Sequence, residues 1–128
     1  MVYRSFKAYF NRIWFWLITG GDFTVYYTIS EREGVITHAS CVLGKCFKLP
    51  FMAKTDYYIG KCSTRREYRG QGIYPSVLHF ISSDLRGVKL WLLIRPTNEA
   101  SIHGAEKAGF LRAGMVYKLK GKYVVPHE

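Results

Sequence analysis

The clearest chemical signal in the sequence is the segment Arg69-Gly70-Gln71-Gly72-Ile73-Tyr74. It follows a predicted strand and precedes a predicted helix, whose start offers unpaired backbone N–H groups and the positive end of the helix dipole. Gly70 and Gly72 lack the Cβ atoms that would keep a phosphate from these groups, and Arg69 can order the turn or add charge. We therefore predict a pyrophosphate-binding turn, with an ordinary tight turn as the alternative.

A second block has the order Asn98-Glu99-Ala100-Ser101-Ile102-His103-Gly104-Ala105-Glu106-Lys107-Ala108-Gly109-Phe110. Together the two blocks resemble the GNAT acyltransferase (N-acetyltransferase) superfamily over about residues 56 to 119. The first matches the pyrophosphate motif Arg/Gln-x-x-Gly-x-Gly/Ala of that family, except that Tyr74 replaces the last small residue. The second resembles its Asn-x-x-Ala/Ser…Glu-Lys-x-Gly-Phe segment, which flanks the pantetheine arm of coenzyme A.

The resemblance implies a mixed α/β fold with a mostly antiparallel central sheet and flanking helices. The N-terminal elements would be abbreviated, because only about twenty residues precede Phe23.

The resemblance also implies acetyl-CoA as cosubstrate, no metal, and transfer of an acetyl group to a primary amine of a small molecule or protein. The Ile-Tyr-Pro variant of the motif is weakly associated with amino-sugar acceptors. The coenzyme-binding residues implied are Cys62, Ser63, Thr64, Arg69, Gly70, Gln71, Gly72, Ile73, Tyr74, Asn98 and Ser101.

For the chemistry, the resemblance places the pantetheine and an oxyanion-binding N–H along the strand that contains residues 62–64. The position where many members carry a proton-donating tyrosine is Ala105. Some members carry a catalytic glutamate thirteen residues before the motif arginine, and the corresponding residue here is Asp56. Strand alternation predicts that Asp56, Tyr58, Gly60 and Cys62 share one face, so Asp56 could act as base with help from Tyr58. The alternative for Asp56 is a solvated residue at the strand start, and Cys62 fits a small wall residue better than a nucleophile.

The surrounding elements follow from periodicity, turn residues and caps. Phe6, Phe10, Ile13, Trp14 and Leu17 predict a helix over residues 3–18, which would pack on a sheet or lie along a membrane surface. After the glycines, Ile73, Val77, Leu78, Ile81 and Leu85 predict a helix. Asn98 is a candidate cap for a later helix that Gly109 ends. The predicted strands are 23–30, 35–43, 56–64, a doubly buried central strand 88–94, and a hairpin of 115–119 with 122–125, with a loop over 44–55.

Length and composition indicate one domain over residues 1–128 with a packed core, since 48% of residues are hydrophobic and 22% charged. The net charge of +10 favours an anionic ligand. Three cysteines without CxxC spacing predict reduced thiols, and the apolar run 13–18 is too short to cross a bilayer. We expect a cytoplasmic protein without stable membrane insertion.

Two other functions remain open at this stage. Because Ala105 replaces the usual proton-donating tyrosine, the chain could be a weakly active or inactive relative that only binds coenzyme A. The cluster of Lys61, Arg65, Arg66 and Arg69, together with abundant aromatic residues, leaves room for a nucleic-acid-binding module, although no nucleic acid is expected. The short N-terminal region would also leave the acceptor side incomplete, so a second subunit in a homodimer could complete it.

Overall fold

A computed structural model of the chain describes residues 2–5, 23–44 and 47–126. The strands are β1 (Val2–Ser5), β2 (Phe23–Ile29), β3 (Ile36–Leu43), β4 (Tyr57–Thr64), β5 (Leu90–Leu92), β6 (Tyr117–Leu119) and β7 (Lys122–Val124). The helices are α1 (Ile73–Asp84) and α2 (Glu99–Lys107), and a short 3-10 turn spans Arg66–Tyr68. The predictions of β2, β3, β4, both helices, the loop after β3 and the terminal hairpin are therefore confirmed within these ranges.

Within these described ranges, five strands form one sheet in the order β1-β2-β3-β4-β5. The first three pairings are antiparallel, and only β4 and β5 run parallel. The expected mixed α/β class with a mostly antiparallel sheet is confirmed. The predicted helix over residues 3–18 is wrong at its start, because Tyr3–Ser5 lie in β1 and pair with β2. Pairing with an available strand edge has overridden a local helical pattern there. The rest of that predicted helix lies outside the described residues.

The main core lies between the sheet and α1. Tyr26, Val42 and Ile59 on the sheet face the helix residues Val77, Leu78 and Ile81, and all six side chains are buried. Ala105 of α2 closes the same cluster. Burying apolar side chains of this size stabilises the fold by roughly 1.5–3 kcal/mol each, so this layer fixes α1, and with it the preceding glycines, against β3 and β4. A second cluster of Phe23, Val25, Cys41 and Leu43 occupies the opposite face of the sheet.

The strand β5 differs from its prediction. It has three half-buried residues instead of seven buried ones, and it is the last strand of the sheet. The hairpin β6–β7 forms a separate two-stranded sheet, so β5 has a strand neighbour on one side only within the part of the chain that the structure describes. An open groove of 1620 Å³ runs beside β5 and is lined in part by residues 109–116. The apolar composition of residues 88–94 therefore reflects an edge strand beside a groove and not a central position.

The described part of the chain contains no helix with the length and apolarity needed to span a membrane.

Candidate functional site

The strands β4 and β5 separate at the candidate site. Their parallel pairing covers only Tyr57–Ile59 against Leu90–Leu92, whereas β4 continues to Thr64. From Gly60 onward, the edge of β4 that faces away from β3 has no strand partner among the described residues. Backbone N–H and C=O groups on such an edge can pair with an extended ligand. We infer an opening beside this unpaired stretch of β4, which continues toward the glycines that precede α1.

The glycine turn (residues 69–72) lies at the end of this opening. Gly70 and Gly72 adopt left-handed φ values of +78° and +76°, and α1 begins at Ile73. A Cβ atom added at either glycine would meet no atom within 4 Å, so backbone conformation and not crowding requires glycine there. The Gly72 cap supplies no side-chain hydrogen bond to the helix start. The first N–H groups of α1 therefore remain available to an anion.

Arg69 and Gln71 order the glycine turn. Arg69 Nε donates a hydrogen bond of 3.0 Å to the carbonyl oxygen of Thr64, which ties the turn back to the end of β4. Gln71 Nε2 makes a longer contact of 3.5 Å with the carbonyl oxygen of Glu67. Arg69 is exposed, and Arg65 and Arg66 are exposed beside it. The turn therefore combines a fixed backbone with a cationic surface, which suits a phosphate-bearing ligand.

A bulge in β4 changes the face on which Cys62 lies. Cys41 pairs with Gly60 whereas Ala39 pairs with Ser63, so β4 carries an extra residue, and Lys61 there has φ +50°. Tyr58 consequently packs with the second cluster, and Cys62 packs with the main core beneath α1. The prediction that Asp56, Tyr58, Gly60 and Cys62 share one face is wrong, because alternation holds only for a strand without a bulge.

Hydrogen-bonded side chains of β3 and β4 form the polar chain (Thr64, His38, Ser40 and Cys62). His38 and Ser40 are buried, and Thr64 and Cys62 are half-buried. Thr64 Oγ1 lies 2.5 Å from His38 Nδ1, and His38 Nε2 lies 2.7 Å from Ser40 Oγ. Ser40 Oγ donates to Cys62 Sγ at 3.2 Å. Because the Ser40 hydroxyl proton is used in this bond, Ser40 Oγ accepts the bond from His38 Nε2–H. The other ring nitrogen of a neutral imidazole, Nδ1, then accepts from the Thr64 hydroxyl. Burial lowers the pKa of His38 to about 4, which agrees with the neutral form.

The polar chain runs from the end of β4 to the bulge. Thr64 lies at the end of β4 where Arg69 is anchored, and Cys62 lies next to the bulge. Sequence reasoning missed this chain. Its signal was available in β3, where His38 and Ser40 are polar residues at strand spacing in a strand that is mostly apolar from Ala39 onward.

Asp56 and Tyr58, the predicted catalytic pair, have separate surroundings. Asp56 Oδ2 accepts hydrogen bonds of 2.9 Å from the backbone N–H of Ala53 and from Trp91 Nε1. Tyr58 packs against the ring of Phe47 at 4.7 Å between centroids. Burial, with a smaller contribution from Tyr123, raises the pKa of Tyr58 to about 12. The structure thus gives Asp56 two donors within the protein and does not bring it together with Tyr58.

The second block forms a capped helix. The Asn98 side chain accepts a hydrogen bond of 3.2 Å from the backbone N–H of Ser101, and Gly109 has φ +96° just after α2. Both features confirm the predicted start and stop of this helix. Ala105 faces the core and His103 is exposed, so the two side chains point to different sides of the helix.

Comparison with known proteins supports the fold alone. Neither the protein-family models nor the curated proteins with which the sequence was compared give a match. Among solved structures, a mutant of the protein BH1408 from Bacillus halodurans, a structural-genomics target, resembles this chain with a TM-score of 0.67. The alignment has 21% sequence identity and covers 87% of this chain and 74% of the other.

Proposed function

We propose that this chain has a GNAT-like fold, binds acetyl-CoA and transfers its acetyl group to a primary amine. The observation that carries the proposal is the separation of two parallel strands at Ile59, with the glycine turn and the start of α1 at the end of the opening. An elongated ligand with a pyrophosphate at one end and a thioester at the other fits this arrangement. A nucleic acid would need no such opening.

In this proposal the pyrophosphate accepts hydrogen bonds from the backbone of the glycine turn, with Gly70, Gln71, Gly72, Ile73 and Tyr74 providing N–H groups. Arg69 orders the turn and adds positive charge. The pantetheine arm follows the edge of β4 that faces away from β3, at Cys62, Ser63 and Thr64. Asn98 and Ser101 contribute through the capped start of α2. Their hydrogen bond fixes the end of the helix that lies beside the pantetheine arm in this proposal. The coenzyme phosphates also account for the local excess of arginine.

Catalysis would depend mainly on positioning. The neutral amine attacks the thioester carbonyl, and a backbone N–H of β4 near the bulge stabilises the oxyanion, which is worth roughly 3–4 kcal/mol for one such donor. Holding both reactants in line supplies much of the remaining rate. No covalent enzyme intermediate is needed. The aromatic surface formed by Tyr58 and Phe47 lies on the opposite face of β4 from Cys62, and we propose it as part of the acceptor side.

Two measurements test the proposal. Acetyl-CoA at a hundred times its Kd should stabilise the fold by about 2.7 kcal/mol, seen as a rise in Tm that a single-stranded oligonucleotide of equal phosphate content does not produce. Thiol release from acetyl-CoA is then followed with glucosamine, spermidine, tyramine and Nα-acetyl-lysine as acceptors. A Tm that ignores acetyl-CoA but rises with the oligonucleotide would favour a nucleic-acid-binding module. Stabilisation without thiol release for any acceptor would favour an inactive coenzyme-binding relative.

A further inference from the structure

Tyr74 occupies a defined position between the two helices and the sheet. A Cβ atom added at Gly104 of α2 would lie 2.7 Å from Tyr74 Cδ1 and 3.1 Å from its Cε1, so the ring rests directly on the α2 backbone. On its other side, the Tyr74 and His38 rings lie 5.8 Å apart at an angle of 40°. The side chain is half-buried and packs against the main core. Its ring orientation is therefore set by contacts from α2 and from β3.

The neighbours of Tyr74 are themselves held in place. Both ring nitrogens of His38 are engaged, with Thr64 and Ser40, so the imidazole cannot turn without breaking a buried hydrogen bond. Gly104 leaves space for the tyrosine ring that any larger residue would remove. The Tyr74 ring is thus in contact on both sides with groups that are fixed in position.

Tyr74 and Cys62 both pack against the main core, and the polar chain joins His38, whose ring contacts Tyr74, to Cys62 through Ser40. Burial, with a smaller contribution from Cys62, raises the pKa of Tyr74. The phenol therefore keeps its proton at neutral pH and can act as a hydrogen-bond donor. The other polar groups around Cys62 are less suited to donate a hydrogen bond to a ligand. Ser40 is fully buried and already donates to Cys62, and Tyr58 lies on the opposite face of β4.

We propose that the Tyr74 hydroxyl is the hydrogen-bond donor to the sulfur of the thiol that leaves during acetyl transfer. This rests on the function proposed above. The amine nitrogen forms a bond to the carbonyl carbon, and the tetrahedral intermediate then collapses with cleavage of the C–S bond. The electron pair of that bond goes to sulfur as a thiolate, which Tyr74 O–H stabilises. The amine loses one proton to solvent, and the released thiolate takes one from solvent, so charge and atoms balance.

The main test compares Tyr74→Phe with Tyr68→Phe. The first change keeps the ring between His38 and Gly104 and removes only the hydroxyl. The second removes a hydroxyl that donates to Glu33 on the surface at 2.7 Å. Tyr74→Phe should lower kcat by about 10²-fold, the lower end of the range for losing one preorganised hydrogen-bond donor, and leave the KM for acetyl-CoA unchanged. Tyr68→Phe should leave both constants unchanged.

A second measurement does not need turnover. A donor to a thiolate lowers the pKa of the thiol, so the thiol of bound coenzyme A should have a higher pKa in Tyr74→Phe than in the wild type. This pKa is measured by following the ultraviolet absorbance of the thiolate over a range of pH. The absorbance of the protein without coenzyme A is subtracted from that of the complex. Among the described residues, His38 faces Tyr74 through its ring, and Cys62 acts on the phenol electrostatically. Burial lowers the pKa of the first and raises that of the second, which keeps both neutral at pH 7.

Gly104→Ala tests the position of the ring. Its methyl group would displace the Tyr74 ring, so kcat should fall, and in the Tyr74→Phe background the same change should cause no further loss. If Tyr74→Phe leaves both the wild-type kcat and the pKa of the bound thiol unchanged, the assignment of Tyr74 is overturned and the proposed function stands. If the wild-type protein releases no thiol with any acceptor, the proposed function is overturned and this assignment with it.

Discussion

Trp91 donates its indole N–H to Asp56 Oδ2 at 2.9 Å, across 35 residues of sequence. This bond joins the start of β4 to β5 at the point where the two strands begin their short parallel pairing. The backbone N–H of Ala53 donates to the same oxygen, and Lys48 Nζ donates to the Asp56 carbonyl oxygen. The hydrogen bond from Trp91 is the largest cause of a lowered pKa of Asp56, and the bond from Ala53 is the second largest. A carboxylate with a lowered pKa is a weaker base, so its surroundings favour a structural role.

Asp56→Asn should lower the Tm and leave kcat and the affinity for acetyl-CoA nearly unchanged. The amide accepts less strongly than the carboxylate from both donors. Because the folded pKa is lowered, the stabilisation is complete above the unfolded pKa near 3.8 and is lost as pH falls through the folded value. Thermal unfolding from pH 7 to pH 3, with steady-state kinetics at pH 7, measures both effects.

Trp91→Phe provides the matched control for Asp56→Asn. If Asp56 acts through the indole, the stability losses of the two changes should be non-additive in a double-mutant cycle. If Asp56→Asn instead slows turnover by about a hundredfold or more and leaves the Tm unchanged, the role of general base that the sequence suggested would be restored.

Gly72→Val should weaken acetyl-CoA binding far more than it weakens folding. At φ +76° a β-branched residue costs roughly 1–2 kcal/mol of backbone strain, and its side chain would enter the space available to the phosphate. Gly34→Val is the control, since Gly34 has φ +67° and equally open surroundings but lies in the turn between β2 and β3. Calorimetric titration should show normal binding to Gly34→Val. Equal binding by both variants would mean that the glycine turn does not contact the ligand.

Arg69→Ala should weaken acetyl-CoA binding about tenfold or more, or roughly 1.4 kcal/mol, because it removes both a charge and the bond that anchors the turn to Thr64. Arg66→Ala removes the same charge from the neighbouring 3-10 turn and should have a smaller effect that fades with added salt. Titrations at low and high salt separate the two contributions. If both variants lose the same affinity for acetyl-CoA at both salt concentrations, Arg69 contributes only its charge to binding.

His38 should make the fold sensitive to mild acid. Its pKa falls from 6.5 to about 4 on folding, so the unfolded chain binds more protons between these values, and stability decreases as pH falls through this window. The decrease should amount to roughly 3 kcal/mol, with a slope of at most about 1.4 kcal/mol per pH unit for one proton. Urea unfolding of wild type and His38→Gln from pH 7 to pH 4 measures it. If both proteins have the same pH dependence, His38 is not the group responsible.

The sequence by itself determined the features that depend on neighbouring residues. The glycine turn, the Asn98 cap, the stop at Gly109, and the hairpin of β2 and β3 follow from backbone preferences and hydrogen bonds that span a few positions. These local signals also predicted the order of strands and helices from β2 onward. They depend little on tertiary contacts, which is why they could be identified from the residues alone.

Only the tertiary structure decided the features that depend on distant partners. The bulge at Lys61 arises where β4 pairs with β3, and it reverses the face of Cys62. The bond from Trp91 to Asp56 and the contact of Tyr74 with Gly104 each join residues about thirty positions apart. No periodicity encodes such pairs, because they result from how the sheet and the helices pack together.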